Sequence, residues 1–128
     1  MSWQVRAIRG ATTVPQNTAA AIQEAVAELL DELEAHNSID PKDVVSLTFS
    51  VTRDLDAIFP ASVARGRPGW EDVPLLDVQQ MHVAGSLSRC IRLLMHVNCQ
   101  IPQNQLYHPY LRQAQRLRPD WRLAQPSL

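Results

Sequence analysis

From Cys90 to Val97 apolar and polar side chains alternate with a period of two. That period predicts a strand with two unlike faces. Ile91, Leu93, Met95 and Val97 form the core face, and Cys90, Arg92, Leu94 and His96 the other. The wider stretch 73–97 reads as two strands joined by a loop at Val83–Ser86, with Pro74 suited to a strand start or an edge. Residues 3–9 alternate as well. Trp3, Val5 and Ala7 read as the core face, with Arg9 extending it at the strand's end; Gln4, Arg6 and Ile8 share the other face, and Gly10 reads as the stop. VVSLTFSV at 44–51 predicts a further strand.

Between these strands the period becomes helical. Ile22, Val26, Leu29, Leu30 and Leu33 form one stripe of a helix over 18–36, with Asn17 as N-cap and Asn37 as the stop. Glu24, Glu28, Asp31 and Glu32 lie off the stripe and read as a solvated acidic surface. A short helix is predicted over 57–65, with Pro60 in its first turn. A sparser one is predicted over 103–116, interrupted by Pro109. The end of the chain, 119–128, has two prolines and little periodicity and is expected to be a mobile tail.

The order β, α, β, short α, β, β, α predicts an α/β (α+β) domain, single over residues 1–128, with a mixed sheet. One long helix cannot cover both faces of a sheet of four or five strands. Self-association is therefore expected, and a closed ring is one solution. A hydrophobic content of 45% supplies a real core, and the net charge of −1 removes the electrostatic ground for nucleic-acid or membrane-surface binding. No apolar run approaches the roughly 20 residues of a membrane span, and the start of the chain lacks the apolar region of a signal peptide. Cys90 and Cys99 on one strand would stand roughly 30 Å apart, too far to pair. They fit no zinc spacing, and a cytoplasmic location is expected.

Arg92 carries the sharpest chemical clue. It falls mid-strand between apolar neighbours, and a guanidinium keeps its charge. Burial there demands an anionic partner, a carboxylate of the protein or of a ligand. A structural ion pair or a solvated outer face would meet the same demand. Ser50, Ser62, Ser86 and Ser88 lack a nucleophile elbow. His82, His96 and His108 are scattered and read as surface or packing residues. Eleven arginines stand against one lysine, Lys42. Genomic base composition explains that bias as well as function does, so the positions matter more. Arg9, Arg65, Arg92, Arg118, Tyr110 and Gln80 remain as an inventory. It suits binding and electrostatic stabilisation of a polyanion rather than covalent or proton-transfer chemistry.

These residues lie in segments that resemble the small trimeric chorismate mutases of the AroH type. The segments are Arg6–Val14, Phe59-Pro60-Ala61 with Arg65, Gly69-Trp70, Val73-Pro74, Gln79–Gly85, Cys90-Ile91-Arg92, Tyr110-Leu111 and Leu117–Asp120. The resemblance runs from Arg6 to Asp120 without a gap. It implies a pseudo-barrel homotrimer with sites in clefts between subunits. The implied reaction is the Claisen rearrangement of chorismate to prephenate in phenylalanine and tyrosine biosynthesis. No metal or cofactor is implied.

The resemblance also implies roles. Arg92 would face the ether oxygen and reach a carboxylate, Arg9 would clamp a carboxylate, and Tyr110 would hydrogen-bond one. Phe59 would form part of the wall and Arg65 would stand near the entrance, while Leu117 and Arg118 would close over the ligand. The chain departs from the family at three positions. Gln80 replaces a glutamate that accepts from the substrate's ring hydroxyl, and its amide oxygen can accept in the same way. Asp77 replaces a cysteine that touches that hydroxyl, and Ser62 replaces a lysine. Gln80 keeps a second reading open, a non-catalytic trimer that senses chorismate or a related carboxylate. A trimeric imine deaminase is a third, but its signature segments are not visible.

Overall fold

The computed structural model describes residues 2–120; most of the expected tail, 121–128, lies outside them. Six elements organise the chain: β1 (Gln4–Thr13), α1 (Ala19–Asn37), β2 (Val44–Val51), α2 (Pro60–Arg65), β3 (Leu75–Gln79) and β4 (Cys90–Cys99). The strands form one mixed sheet in the order β1-β4-β2-β3. β4 runs antiparallel to both neighbours, and β3 is parallel to β2. The expected mixed α+β architecture is therefore present, with one long helix and one short one. The two strands read from 73–97 are not neighbours, because β2 lies between them.

Register decides which side of the sheet is the core. Ile8, Met95, Leu47 and Leu75 stand opposite one another, as do Gly10, Leu93, Phe49 and Asp77. This face packs on the stripe of α1, where Ile22, Val26, Leu29, Leu30 and Leu33 are all buried. On the other face Arg9, Leu94, Thr48 and Leu76 align, followed by Ala11, Arg92, Ser50 and Val78. Among the described residues Tyr110 and Ala114 cover that second face at Ala11, and the remainder is open: Val5 is 55% exposed and Leu76 58%.

The faces of β1 are the reverse of those expected. Ile8 is the buried side chain, and Trp3 and Val5 point away from the protomer's core. Alternation marks two faces without saying which one a single subunit buries. Gly10 does not end the strand either. Edge strand β1 continues because residues 106–111 run beside it, with Ala11 N–H donating to Pro109 O (2.9 Å) and Leu111 N–H to Ala11 O (2.9 Å). A Cβ on residue 10 would lie 2.9 Å from Pro109 O, so glycine is there to permit the approach. Gly10→Ala is expected to lower stability by about 1–3 kcal/mol. It should also speed hydrogen exchange at the Ala11 and Leu111 amides. An unchanged urea midpoint would mean that the segment yields without cost.

That segment was expected to be helical. Instead two short 3-10 turns, Gln103–Gln105 and Arg112–Leu117, flank an extended stretch. Pro109 lacks an N–H and biases His108 away from helical geometry. The open edge of β1 meanwhile offers unpaired main-chain groups. Asn37, buried at the end of α1, holds the same stretch. Its Nδ2 donates to Leu33 O and Tyr107 O (3.0 Å each), and its Oδ1 accepts from Tyr107 N–H (2.8 Å). At the other end of α1 the cap is Thr18, whose hydroxyl oxygen accepts from Ala21 N–H at 3.1 Å. Asn17 instead accepts from the Asp56 and Ala57 amides, tying the helix start to the loop before α2.

Candidate active site

β4 is bonded on both sides, so its side chains are firmly placed. Arg92 projects from it on the face away from α1, half-buried, with Ala11 of β1 and Ser50 of β2 as neighbours. Its guanidinium lies against the Cys90 thiol, which burial pushes above its ordinary pKa although Arg92 pulls the other way. Tyr110 is buried and bridges to Ala11, so it enters from the opposite edge of β1. Burial raises the pKa of its phenol, against the opposing pull of Arg9, Arg118 and Arg92. The phenol therefore keeps its proton at neutral pH and is a donor. Because three guanidiniums act on this one hydroxyl, Arg9, Arg92, Arg118 and Tyr110 constitute a single cluster. Leu117 packs on its apolar base of Ala11, Tyr110 and Ala114. Arg118 grips the Asp120 carboxylate with two hydrogen bonds, of 2.9 and 3.2 Å.

Gln80 follows β3, and its N–H extends the ladder to Val51 O at 2.8 Å. Counting on from Val78 puts Gln80 on the face that carries Arg92. Two buried atoms there have no hydrogen-bond partner, Gln80 Oε1 and Arg92 Nε. Buried polar atoms are nearly always satisfied, and each exception calls for an explanation. Here one is an acceptor and the other a cationic donor, which together suit a ligand carrying both hydroxyl and anionic groups.

A second set lies elsewhere on the protomer. Phe59, Ser62 and Asp77 line a cavity of about 620 Å³ beside the start of α2. Phe59 is 71% exposed, an unusual state for a large aromatic. Asp77 shares the register of Phe49 and Leu93, so it points to the α side of the sheet, away from Arg92. Its Oδ1 accepts from Ala61 N–H at 3.0 Å. Burial pushes the Asp77 carboxyl above its ordinary range, against the pull of that N–H and of Arg65. Arg65 ends α2 and is exposed. Within one protomer, then, Arg9, Arg92, Tyr110, Arg118, Leu117 and Gln80 belong to the open sheet face and its margin, while Phe59, Arg65 and Asp77 flank α2.

His108, which the sequence leaves as a surface or packing residue, is buried. Its Nδ1 accepts from the main-chain N–H of Arg9 at 3.0 Å. No signal in the sequence connects the two, since 99 residues separate them. Among the described residues no group of three or more histidines, cysteines and carboxylates could hold a metal ion, and no helix is long and apolar enough to cross a membrane.

Comparison with known proteins gives this geometry a family. The model for chorismate mutase type I matches residues 5–121. The chorismate mutase AroH of Bacillus subtilis (strain 168) is 43% identical over 116 residues, 91% of each chain. That of Thermus thermophilus is 46% identical over 122 residues, 94% of this chain and 99% of its own. A solved chorismate mutase from Clostridium thermocellum superposes with a TM-score of 0.82 at 44% identity, covering 85% of this chain and 96% of the other. A match of this extent, in sequence and in fold, means that the chain belongs to the chorismate mutase type I family.

Proposed function

We propose that the protein converts chorismate to prephenate by holding the substrate in its reactive shape and stabilising charge on the breaking ether. The observation that carries this is the cluster itself: three guanidiniums around a protonated Tyr110, beside a buried Arg92 Nε and Gln80 Oε1 that lack partners. The rearrangement moves electrons within one molecule. A C–O bond breaks as a C–C bond forms, and no proton or covalent adduct is required. Two things speed it. The flexible side chain must be fixed over the ring, which is catalysis by orientation. Positive charge must also face the oxygen where negative charge grows.

In this reading Arg92 faces the ether oxygen. Arg9, Tyr110 and Arg118 hold the carboxylates, Gln80 Oε1 accepts from the ring hydroxyl, and Leu117 closes one side. Phe59, Asp77 and Arg65 complete the site from a neighbouring subunit, Phe59 and Asp77 as wall and Arg65 at the entrance. The separation of the two sets on one protomer supports that division. So does the uncovered apolar face of Val5, Leu76, Val78 and Leu94, whose burial between three copies gives a homotrimer with a barrel-like interior. Such an enzyme works in the cytoplasm, on the route to phenylalanine and tyrosine.

Incubating the purified protein with chorismate tests the reading. Chorismate should disappear in step with the formation of prephenate, at a rate that saturates, and native mass measurement should give three chains. Saturable binding without prephenate would instead make the protein a sensor.

A further inference from the structure

The outer edge of β1 is closed in an uneven way. At Ala7 the Gln103 side chain takes both main-chain groups, at 2.9 and 2.6 Å. At Ala11 the main chain of residues 109 and 111 does so. Between them the Arg9 N–H is met by a side-chain nitrogen, His108 Nδ1. An amide N–H can donate only to an unprotonated ring nitrogen, so this imidazole is neutral with its proton on Nε2. It is also buried. His108 and Tyr110 are two residues apart on one extended segment, and Arg9 and Ala11 two apart on β1. The imidazole therefore sets where the main chain of Arg9 lies relative to that of Tyr110.

We propose that His108 is a positioning residue, whose neutral imidazole locks Arg9 to the segment carrying Tyr110 and so fixes the spacing of two carboxylate-binding groups. This rests on the roles given above to Arg9 and Tyr110. A ladder bond made by a rigid ring, where the neighbouring Ala11 amide is met by a main-chain carbonyl, can be altered by substitution without changing the backbone's own pairing. That makes its contribution measurable.

Three variants and one cycle test it by steady-state kinetics on chorismate. His108→Leu keeps bulk and removes the acceptor. KM is expected to rise about tenfold, as for a lost buried hydrogen bond, with kcat changing less. His108→Asn places its Oδ1 where Nδ1 stands and should return KM to within about threefold of the parent. His108→Gln moves the acceptor one bond outward. It should fold, and should still raise KM even if the leucine variant does not fold. In an Arg9→Ala background the His108→Leu change should add little, because the bond to the main-chain N–H of residue 9 then has no guanidinium left to position. Parental KM in both the leucine and glutamine variants overturns the proposal. So does an asparagine variant no better than leucine, or full additivity with Arg9→Ala. An Arg9→Ala variant with unchanged KM strikes the reading of Arg9 itself. Arg9 dependence that persists while His108→Leu is silent strikes this inference alone.

Discussion

Replacing Arg92 with alanine is expected to cut kcat/KM for chorismate by about 10²–10³, equivalent to roughly 3–4 kcal/mol of transition-state stabilisation. Two features of the structure set that size. Arg92 stands on a strand paired along both edges, so its guanidinium is aimed before the substrate arrives. Its Nε is buried without a partner, so its interaction with a developing negative charge is not diluted by an existing carboxylate. Stability should respond differently. A buried cationic donor left unsatisfied is a cost to the folded state. Alanine removes that cost and leaves the main-chain ladder of β4 intact. The variant should therefore unfold at a urea concentration no lower than the parent's, while turning over far less chorismate. Parental turnover in this variant would remove Arg92 from the ether oxygen. A collapse in stability would mean that Arg92 serves the fold instead.

The alternation in β4 and the stripe of α1 were legible because both are long and each buries one side. Every residue of the α1 stripe is buried, and the four core positions of β4 are as well. β1 was harder. Its Trp3 and Val5 are apolar yet exposed, because no described element of the protomer packs on them. A sequence records that a face is apolar, not which chain will cover it. The segment 106–111 was misread for a related reason. Its structure comes from the free edge of a strand about 100 residues earlier, and local propensity carries no trace of that pairing. The site divides in the same way. Arg92 could be singled out by its place among apolar neighbours. Arg9 comes from the start of the chain and Tyr110 and Arg118 from its last stretch, and only likeness to a known family suggested bringing them together. The structure supplies the physical link in the field of the three guanidiniums at one phenol. Asp77 shows how far likeness of sequence carries. The resemblance implies a substrate-contacting position for it, yet within its own subunit its carboxylate accepts from the Ala61 N–H at the start of α2, on the opposite side of the sheet from Arg92.

Lowering the pH from 7 to about 4.5 is expected to remove about 2–3 kcal/mol of stability through His108 alone. Burial, with Arg9 and then Arg118 adding like charge, pushes this imidazole from 6.5 down to about 4. Between about 6.5 and 4 the unfolded chain therefore binds a proton that the folded chain refuses. The equilibrium shifts toward unfolding as the pH falls through that window and is indifferent to His108 above it. Carboxylates act elsewhere or cancel. Burial would raise the Asp54 carboxyl, but the Thr52 hydroxyl and the Arg89 main chain bring it below its ordinary value. Its contribution is thus lost only at still lower pH. The raised Asp77 carboxyl works in the opposite sense, and it does so equally in any His108 variant. Urea unfolding of the parent and of His108→Asn, at equal protein concentration, isolates the histidine. The asparagine variant keeps an acceptor for Arg9 but cannot titrate, so its stability should decline less steeply from pH 6.5 to 4.5. Two parallel curves would mean that the imidazole takes up its proton in the folded protein as readily as in water.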